Sequence, residues 1–268
     1  MLAKDNHLLI ELYKDGYSIQ QIADNFNISY SYIRNIIKPY GVIKKRGPYR
    51  KININDNIFF MPDNNNCYWA GFIAADGNIQ GNQLGIELNI NDYKHLEKFK
   101  RYINLNGSKI FVRKCSCAVR FRSNQIVKDL YKNFNVIPNK SLILCPPNIT
   151  DVSFIRHYIR GYFDGDGCIS INSKTKNMSF EIYSGSYKIL DWLLYHIKNI
   201  PINTITRVRK KVNNTYRFAI YGNNQIETIM NWLYKDSGTN FLERKRNIYF
   251  LFGGNKTCLA TIQLLAVF

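Results

Sequence analysis

The stretch Tyr68-Trp69-Ala70-Gly71-Phe72-Ile73-Ala74-Ala75-Asp76-Gly77-Asn78-Ile79 returns 90 residues later as Tyr158-Ile159-Arg160-Gly161-Tyr162-Phe163-Asp164-Gly165-Asp166-Gly167-Cys168-Ile169. Both copies read as an apolar helix that Asp-Gly brings to an end, with Gly terminating the helix and Asp pointing outward. Small residues sit four apart in each, Gly71 with Ala75 and Gly161 with Gly165. Missing side chains let two helix backbones approach closely. The pair is therefore expected to pack the two copies together, with their C-termini side by side.

The likeness extends beyond these helices. Asn124-Gln125-Ile126 recurs as Asn224-Gln225-Ile226, each opening a helical stretch after a basic strand. Lys140 follows the first of those helices and Lys245 the second. One plan used twice predicts two halves. Each reads helix, two strands, helix, two strands, helix. Helices are expected near 64–76, 92–103 and 124–133, with strands near 78–80, 83–90, 108–114 and 117–122. The second half has helices near 152–166, 186–199 and 223–235, with strands near 168–172, 178–184, 206–212 and 215–221. The fold class is α+β. Two pseudo-symmetric αββαββα halves, 58–147 and 148–252, follow an all-α module at 1–42 and a basic linker arm at 43–57. Cys145-Pro146-Pro147-Asn148 reads as the connector, and the tail 253–268 stays unassigned.

The chain has 268 residues, 46 % of them hydrophobic, which excludes a wholly disordered protein. No run of about 18 uncharged apolar residues exists, so no membrane span is expected. Lys plus Arg number 37 against 19 acids, a net +18 that points to a polyanion, nucleic acid first. The cations fall with period two on the expected strands. Arg207, Arg209 and Lys211 share one face, and Arg217 lies between Tyr216 and Phe218. Arg120 and Arg122 alternate with Val119 and Phe121, and Arg113 lies on the strand before. One sheet face is thus basic and the other apolar, which suits a sheet laid on a phosphate backbone. The six cysteines are scattered and read as reduced thiols of an intracellular protein, in bacterial or phage-infected cytoplasm or an organelle.

Residues 6 to 41 read as three short helices. Ser18 opens a capping box with Gln21, and the helix Ile19 to Phe26 buries Ile19, Ile22, Ala23 and Phe26. A turn at Asn27-Ile28 leads to Ser29, a second N-cap, and a helix from Tyr30 to about Lys38. Helix, short turn, helix is the helix-turn-helix pattern, in which the last helix enters the major groove. Tyr30, Ser31, Arg34 and Asn35 are its outward residues, with Ile33, Ile36 and Ile37 inside. Lys44, Lys45, Arg46, Arg50 and Lys51 surround Gly47-Pro48, a poor helix former, and read as an extended arm along phosphates or in a minor groove. The module is similar to the small helix-turn-helix domains of recombinases and bacterial regulators.

Two carboxylates at adjoining helix C-termini sit at the negative ends of two dipoles and repel each other. A cation must offset that repulsion, and hard oxygen ligands suit Mg²⁺. Such a metal beside a basic groove is what phosphodiester hydrolysis needs, because it activates water and stabilises charge on the phosphorus.

On these residues, Trp69 to Gly77 and Ile159 to Gly167 resemble the two motifs of LAGLIDADG homing endonucleases in their single-chain, two-repeat form. The resemblance covers roughly residues 58 to 252. It implies sheets that lie in the DNA major groove and motif helices that form the interface. It implies that Asp76 and Asp166, with Ala75 and Gly165 beside them, bind the metals, and that each acid cuts one strand across the minor groove. Products would carry short 3′ overhangs, and the reaction would promote intron mobility. Mg²⁺ is the implied cofactor, with Mn²⁺ or a non-catalytic Ca²⁺ as substitutes. Lys140 and Lys245 match the family's basic residues near the active site. The partner is double-stranded DNA with a long, partly asymmetric site, bound by a monomer. Ala74 stands where the sixth motif residue is often Asp, whereas the second copy has Asp164. Arg160 replaces a usually small residue. A non-cleaving DNA-binding regulator and an RNA maturase are the alternatives on the same fold. Four scattered histidines, His7, His95, His157 and His196, disfavour an HNH nuclease.

Overall fold

The structure is a computed structural model. It describes residues 6–15, 17–40, 53–172, 174–212 and 214–253, with side chains to 248. The basic arm residues Lys44, Lys45, Arg46, Arg50 and Lys51 and the tail beyond 253 lie outside the described residues. The chain divides into two compact units, 1–51 and 52–268.

The first unit holds α1 (Asn6–Lys14), α2 (Ile19–Phe26) and α3 (Tyr30–Ile37). The Ser18 hydroxyl accepts from the Gln21 N–H at 3.2 Å while the Gln21 side chain accepts from the Ser18 N–H at 2.9 Å, a reciprocal cap. Asn27 takes the left-handed conformation at φ 51° and turns the chain within one residue. Ser29 then caps α3 through the Tyr32 N–H. Leu9, Ile10, Ile19, Ile22, Ala23, Ile33 and Ile37 form a small core of their own. Phe26, expected inside, is exposed, and Ile28 beyond the turn packs on that core instead.

The second unit is built twice on one plan. The first repeat runs α4 (Asn64–Asp76), β1 (Gly77–Gln80), β2 (Gln83–Asn89), α5 (Tyr93–Tyr102), β3 (Phe111–Val112), β4 (Ser116–Arg122) and α6 (Asn124–Phe134). The second runs α7 (Val152–Asp166), β5 (Gly167–Ile171), β6 (Met178–Ser184), α8 (Tyr187–Lys198), β7 (Arg209–Lys210), β8 (Tyr216–Tyr221) and α9 (Asn223–Tyr234). Each sheet is antiparallel, ordered β1-β2-β4-β3 and β5-β6-β8-β7. The strands alternate as a one-sided sheet requires: Leu84, Ile86 and Leu88 point to the core, while Glu87 and Asn89 point to water.

Four expectations are corrected. The strands expected over 108–114 and 206–212 shrink to two residues each. Both are edges with a single neighbour, and Phe111, Val112, Arg209 and Lys210 are all exposed, so no buried alternation holds a longer strand. A further helix, α10 (Glu243–Gly253), carries Lys245. Residues 53–57, expected within the linker arm, are tied to the first repeat. Asn53 bridges Asn106, the Asn55 N–H donates to Ile103 O at 2.9 Å, and the Ser123 hydroxyl donates to Asp56. Finally, neither motif aspartate points freely outward; both are half-buried.

The core centres on α4 and α7, which pack against each other. A Cβ on Gly71 would lie 2.1 Å from Tyr158 O, and one on Gly161 would lie 1.9 Å from Tyr68 O. Only bare backbone fits at this crossing. Around it, Trp69 packs on Phe72, His95, Phe99 and Tyr102 in the first repeat, and in the second Phe163 stacks on Phe180, with Phe218 tilted against Phe180. The Phe134 and Tyr158 rings stack across the repeats at 6.4 Å. Each such fully buried side chain contributes about 1.5–3 kcal/mol of burial free energy. Among the described residues, no helix is long and apolar enough to cross a membrane. Cys67, Cys115, Cys117, Cys145 and Cys168 are free thiols.

Candidate active site and nucleic-acid interface

Helices α4 and α7 start from fixed caps and end at one place. The Asp63 carboxylate accepts from the Asn65 and Asn66 N–H groups, and Asp151 accepts from Ser153 N–H. At the other end, Gly77 and Gly167 have negative φ, −77° and −88°. Glycine is needed there for room. A Cβ would strike Ile73 O at 2.6 Å or the Phe163 ring at 2.1 Å.

The helix contact brings Asp76 and Asp166 together. A Cβ on Gly165 would meet Ala75 Cβ at 2.3 Å and Asp76 Oδ2 at 3.2 Å. The bare Gly165 backbone thus makes the space that Asp76 uses beside Asp166. Burial, and then the Asp166 carboxylate, push Asp76 up to about 6, against the pull of Lys245 and Lys140. Burial also raises Asp166, and Lys140, Lys245 and the Tyr162 hydroxyl oppose that rise.

Two buried lysines close the helix ends. Lys140 Nζ donates to Ala75 O at 3.2 Å. Lys245 Nζ donates to Phe163 O at 2.7 Å, Asp164 O at 2.7 Å and Gly165 O at 3.0 Å. A cation on the last carbonyls of a helix satisfies orphan acceptors and complements the dipole. Burial holds both ammonium groups below the ordinary range, Lys245 at about 8.

Asp164 plays a different part. It is fully buried and accepts from the Tyr68 hydroxyl at 2.8 Å, the Tyr234 hydroxyl at 2.9 Å and the Leu242 N–H at 2.7 Å. Arg160 is buried beside it, donates to Leu233 O and Asn240 O, and lies over the Tyr68 ring. These groups hold α7 to α4, to α9 and to the segment 240–242 that precedes α10.

The donor set fits a hard divalent cation. Among the described residues, no three His, Cys, Asp or Glu side chains gather as a metal group, so Asp76 and Asp166 stand as a carboxylate pair. Mg²⁺ characteristically takes one or two carboxylates and completes its shell with water and phosphate oxygens. The Ala75 and Gly165 carbonyls already accept from Lys140 and Lys245, with one lone pair each left over.

A cleft of about 330 Å³ leads from Asp76 along the first sheet, past Asn78, Gln80, Gln83, Glu87 and Arg120. Arg113, Arg120 and Arg122 are exposed, as are Arg207, Arg209 and Lys211; Arg217 is half-buried. In the first unit Tyr30, Ser31, Arg34 and Asn35 are exposed on one helix, with Ile33 and Ile37 buried behind them. The sheet faces are not uniformly basic. Glu87 pairs with Arg113 at 3.1 Å and Arg120 at 3.0 Å, and Glu181 pairs with Arg217 at 2.7 Å. Reading one strand at a time hides these acids. Glu87 lies on the polar alternation of its own strand, and that pattern is the signal that finds it.

Residues 153–231 match the LAGLIDADG-like domain, and residues 2–31 match the helix-turn-helix domain of resolvase. Reverse gyrase of Methanocaldococcus jannaschii is 24 % identical over 209 residues, 74 % of this chain but 11 % of that protein. The chain therefore spans about a tenth of that relative. The meganuclease I-SmaMI bound to uncleaveable DNA shares the fold with a TM-score of 0.51 at 12 % identity, covering 68 % of this chain and 85 % of that one. The I-LtrWI LAGLIDADG homing endonuclease bound to target DNA gives 0.47 at 14 % identity, covering 74 % and 89 %. With its fold and both motifs in place, the chain resembles the single-chain, two-repeat LAGLIDADG homing endonucleases, with a helix-turn-helix domain added at the N-terminus.

Proposed function

We propose that this protein is a site-specific endonuclease of double-stranded DNA that uses a divalent metal, Mg²⁺ first, and acts as a monomer. The observation that carries the reading is the convergence of Asp76 and Asp166 at a helix contact that only glycine permits, with a buried lysine against each helix end. Asp76 and Asp166 hold the metal, with the Ala75 and Gly165 carbonyls beside them. When bound, Mg²⁺ supplies an activated water and stabilises the charge that develops on the phosphorus.

The protein's own groups do the rest. Above pH about 6 the Asp76 carboxylate is available as an anion for the metal. Lys140 and Lys245 stand at the end of each motif helix. Lys245 uses its three N–H groups on helix carbonyls and acts through its charge, whereas Lys140 makes one such bond and can also organise water. The exposed cations of the sheets and of α3 hold the duplex electrostatically. Each aspartate serves one strand, giving paired breaks with short 3′ overhangs, and one long target site would let the enzyme spread an intron.

The test is cleavage of a genomic fragment library by the full chain in Mg²⁺ and in EDTA, with break ends mapped by sequencing. Paired Mg²⁺-dependent breaks at one site are expected. Asp76→Asn and Asp166→Asn should each reduce cleavage by about 10²-fold or more, since the metal supplies several kcal/mol of stabilisation. Tight sequence-specific binding without breaks would refute the nuclease and leave a DNA-binding regulator.

A further inference from the structure

The registers of the two sheets align them residue by residue. Gly77 pairs with Ile86 and Ile86 with Val119; Gly167 pairs with Ile182 and Ile182 with Phe218. Gly85 therefore corresponds to Glu181, Glu87 to Tyr183, Ala118 to Arg217 and Arg120 to Ala219. Each quartet occupies two directly paired positions on the outward face, and each contains one glutamate that grips one arginine diagonally. The glutamate and arginine take opposite diagonals of the quartet in the two repeats.

In the first repeat, Glu87 accepts from Arg120 Nη2 at 3.0 Å, Arg113 Nη1 at 3.1 Å and the Ser116 hydroxyl at 2.9 Å. Gly85 leaves the Arg120 stem room, since a Cβ there would lie 3.3 Å from its Cγ. In the second, Glu181 accepts from Arg217 Nη1 at 2.7 Å, the Tyr183 hydroxyl at 2.6 Å and the Ser179 hydroxyl at 3.2 Å. An exposed ion pair such as Glu87–Arg120 contributes little stability, and Glu181–Arg217 is the more buried of the two. Two such clamps at matching positions have a different use. A guanidinium braced by a carboxylate is partly neutralised, so a phosphate attracts it less. It is also fixed in direction, and its unused N–H groups still form a fork. That fork matches the O6 and N7 of guanine in the major groove.

We propose that Arg120 and Arg217 each read a guanine, one in each half of the target, and that the two guanines are not mirror-related. Moving the fork from the Ala118 position to the Arg120 position is a shift of two residues, about 7 Å along a strand. That is roughly two base-pair steps. Glu87 and Glu181 are positioning residues that act through the arginines. The proposal rests on the DNA-binding reading above and does not need the cutting step.

The experiment is enrichment of bound duplexes from a randomised double-stranded DNA library by the full chain in Ca²⁺. It is repeated with Arg120→Lys, Arg217→Lys, Glu87→Ala and Arg207→Ala, all checked for unchanged melting. Lysine keeps the charge and loses the fork. Arg120→Lys should lose about 10- to 100-fold of guanine preference at one position, and Arg217→Lys the same at another, with the salt dependence of binding unchanged. The two positions should differ in distance from the centre of the site. Glu87→Ala should bind random DNA more tightly and discriminate less at the Arg120 position. Arg207→Ala, an unbraced cation, should weaken all sequences alike. Lysine variants that keep every preference, that weaken all sequences equally, or that act at mirror-related positions would overturn the proposal, as would a library with no enriched sequence. An enriched duplex left uncut in Mg²⁺ would instead count against the nuclease alone.

Discussion

The first motif helix is held by apolar packing, and the second by buried polar groups. At matching positions Ala70 faces Arg160, Phe72 faces Tyr162 and Ala74 faces Asp164. In the first repeat, Trp69 with Phe99 and Tyr102 fixes α4. In the second, Arg160 and Asp164 bond to Leu233, Asn240, Tyr234 and Leu242 on the elements that follow. The functional ends are nonetheless matched, with one aspartate on each helix and one lysine from another segment bonded to its last carbonyls. The comparison teaches that matching helix ends do not require matching support. Support behind the ends is free to diverge, with aromatic packing in one repeat and hydrogen bonds of a buried carboxylate and guanidinium in the other.

The largest expected effect tests the element that both repeats share. Gly161→Ala puts a methyl group 1.9 Å from Tyr68 O, and the atoms it meets are backbone, which cannot swing away. The helices must part, so a loss of more than about 3 kcal/mol is expected, beyond the usual range for overpacking. Urea unfolding followed by tryptophan fluorescence measures this cleanly, because Trp69, Trp192 and Trp232 all lie in the second unit. A loss under about 0.5 kcal/mol, the range of a surface change, would show that the crossing is slack.

The second prediction breaks the symmetry of support. Asp164→Ala leaves two tyrosine hydroxyls and the Leu242 N–H without this acceptor and removes a carboxyl that acts electrostatically on buried Arg160. A cost of about 3 kcal/mol is expected. Ala74→Asp, the reverse exchange, cannot recover it, because Ala74 lies buried in an apolar setting. Equal, small effects from the two exchanges would mean that the second helix does not depend on its polar network.

Much of this architecture was legible in the chain. The motif helices were expected at 64–76 and 152–166 and lie there, because small residues four apart, caps and Asp-Gly ends are local signals. Strand β6 was expected over 178–184 and lies there. What was hidden is set by partners distant in sequence. Glu87 and Glu181 look like isolated acids until the register places Arg120 and Arg217 diagonal to them. Arg160 looked like an odd substitution until Leu233 and Asn240 supplied its acceptors. Lys140 and Lys245 were legible as candidates by their place in the repeat, but not their grip on helix carbonyls, which requires each segment to fold back across the sequence. Phe26 was misjudged because a helix-period pattern does not say where a three-helix core ends.

The smallest expected effect concerns the symmetric ends themselves. The Asp76 carboxyl is raised in the fold from 3.8 to about 6. A group whose folded pKa is raised contributes stability below its unfolded pKa and loses it as pH rises through the folded value. The metal-free protein should therefore lose stability between pH about 4 and 6, as Asp76 is forced to ionise beside Asp166. Asp76→Asn cannot ionise, so in EDTA it should melt higher than the wild type at pH 7, by about 2–4 °C, and the difference should close near pH 4. Mg²⁺ should raise the wild type and leave the variant nearly unmoved. Asp166→Asn should do the same in direction, since burial raises that carboxyl too. If only one of the two variants melts higher at pH 7, the strain lies in that one pocket, and the two ends are less alike than their geometry makes them.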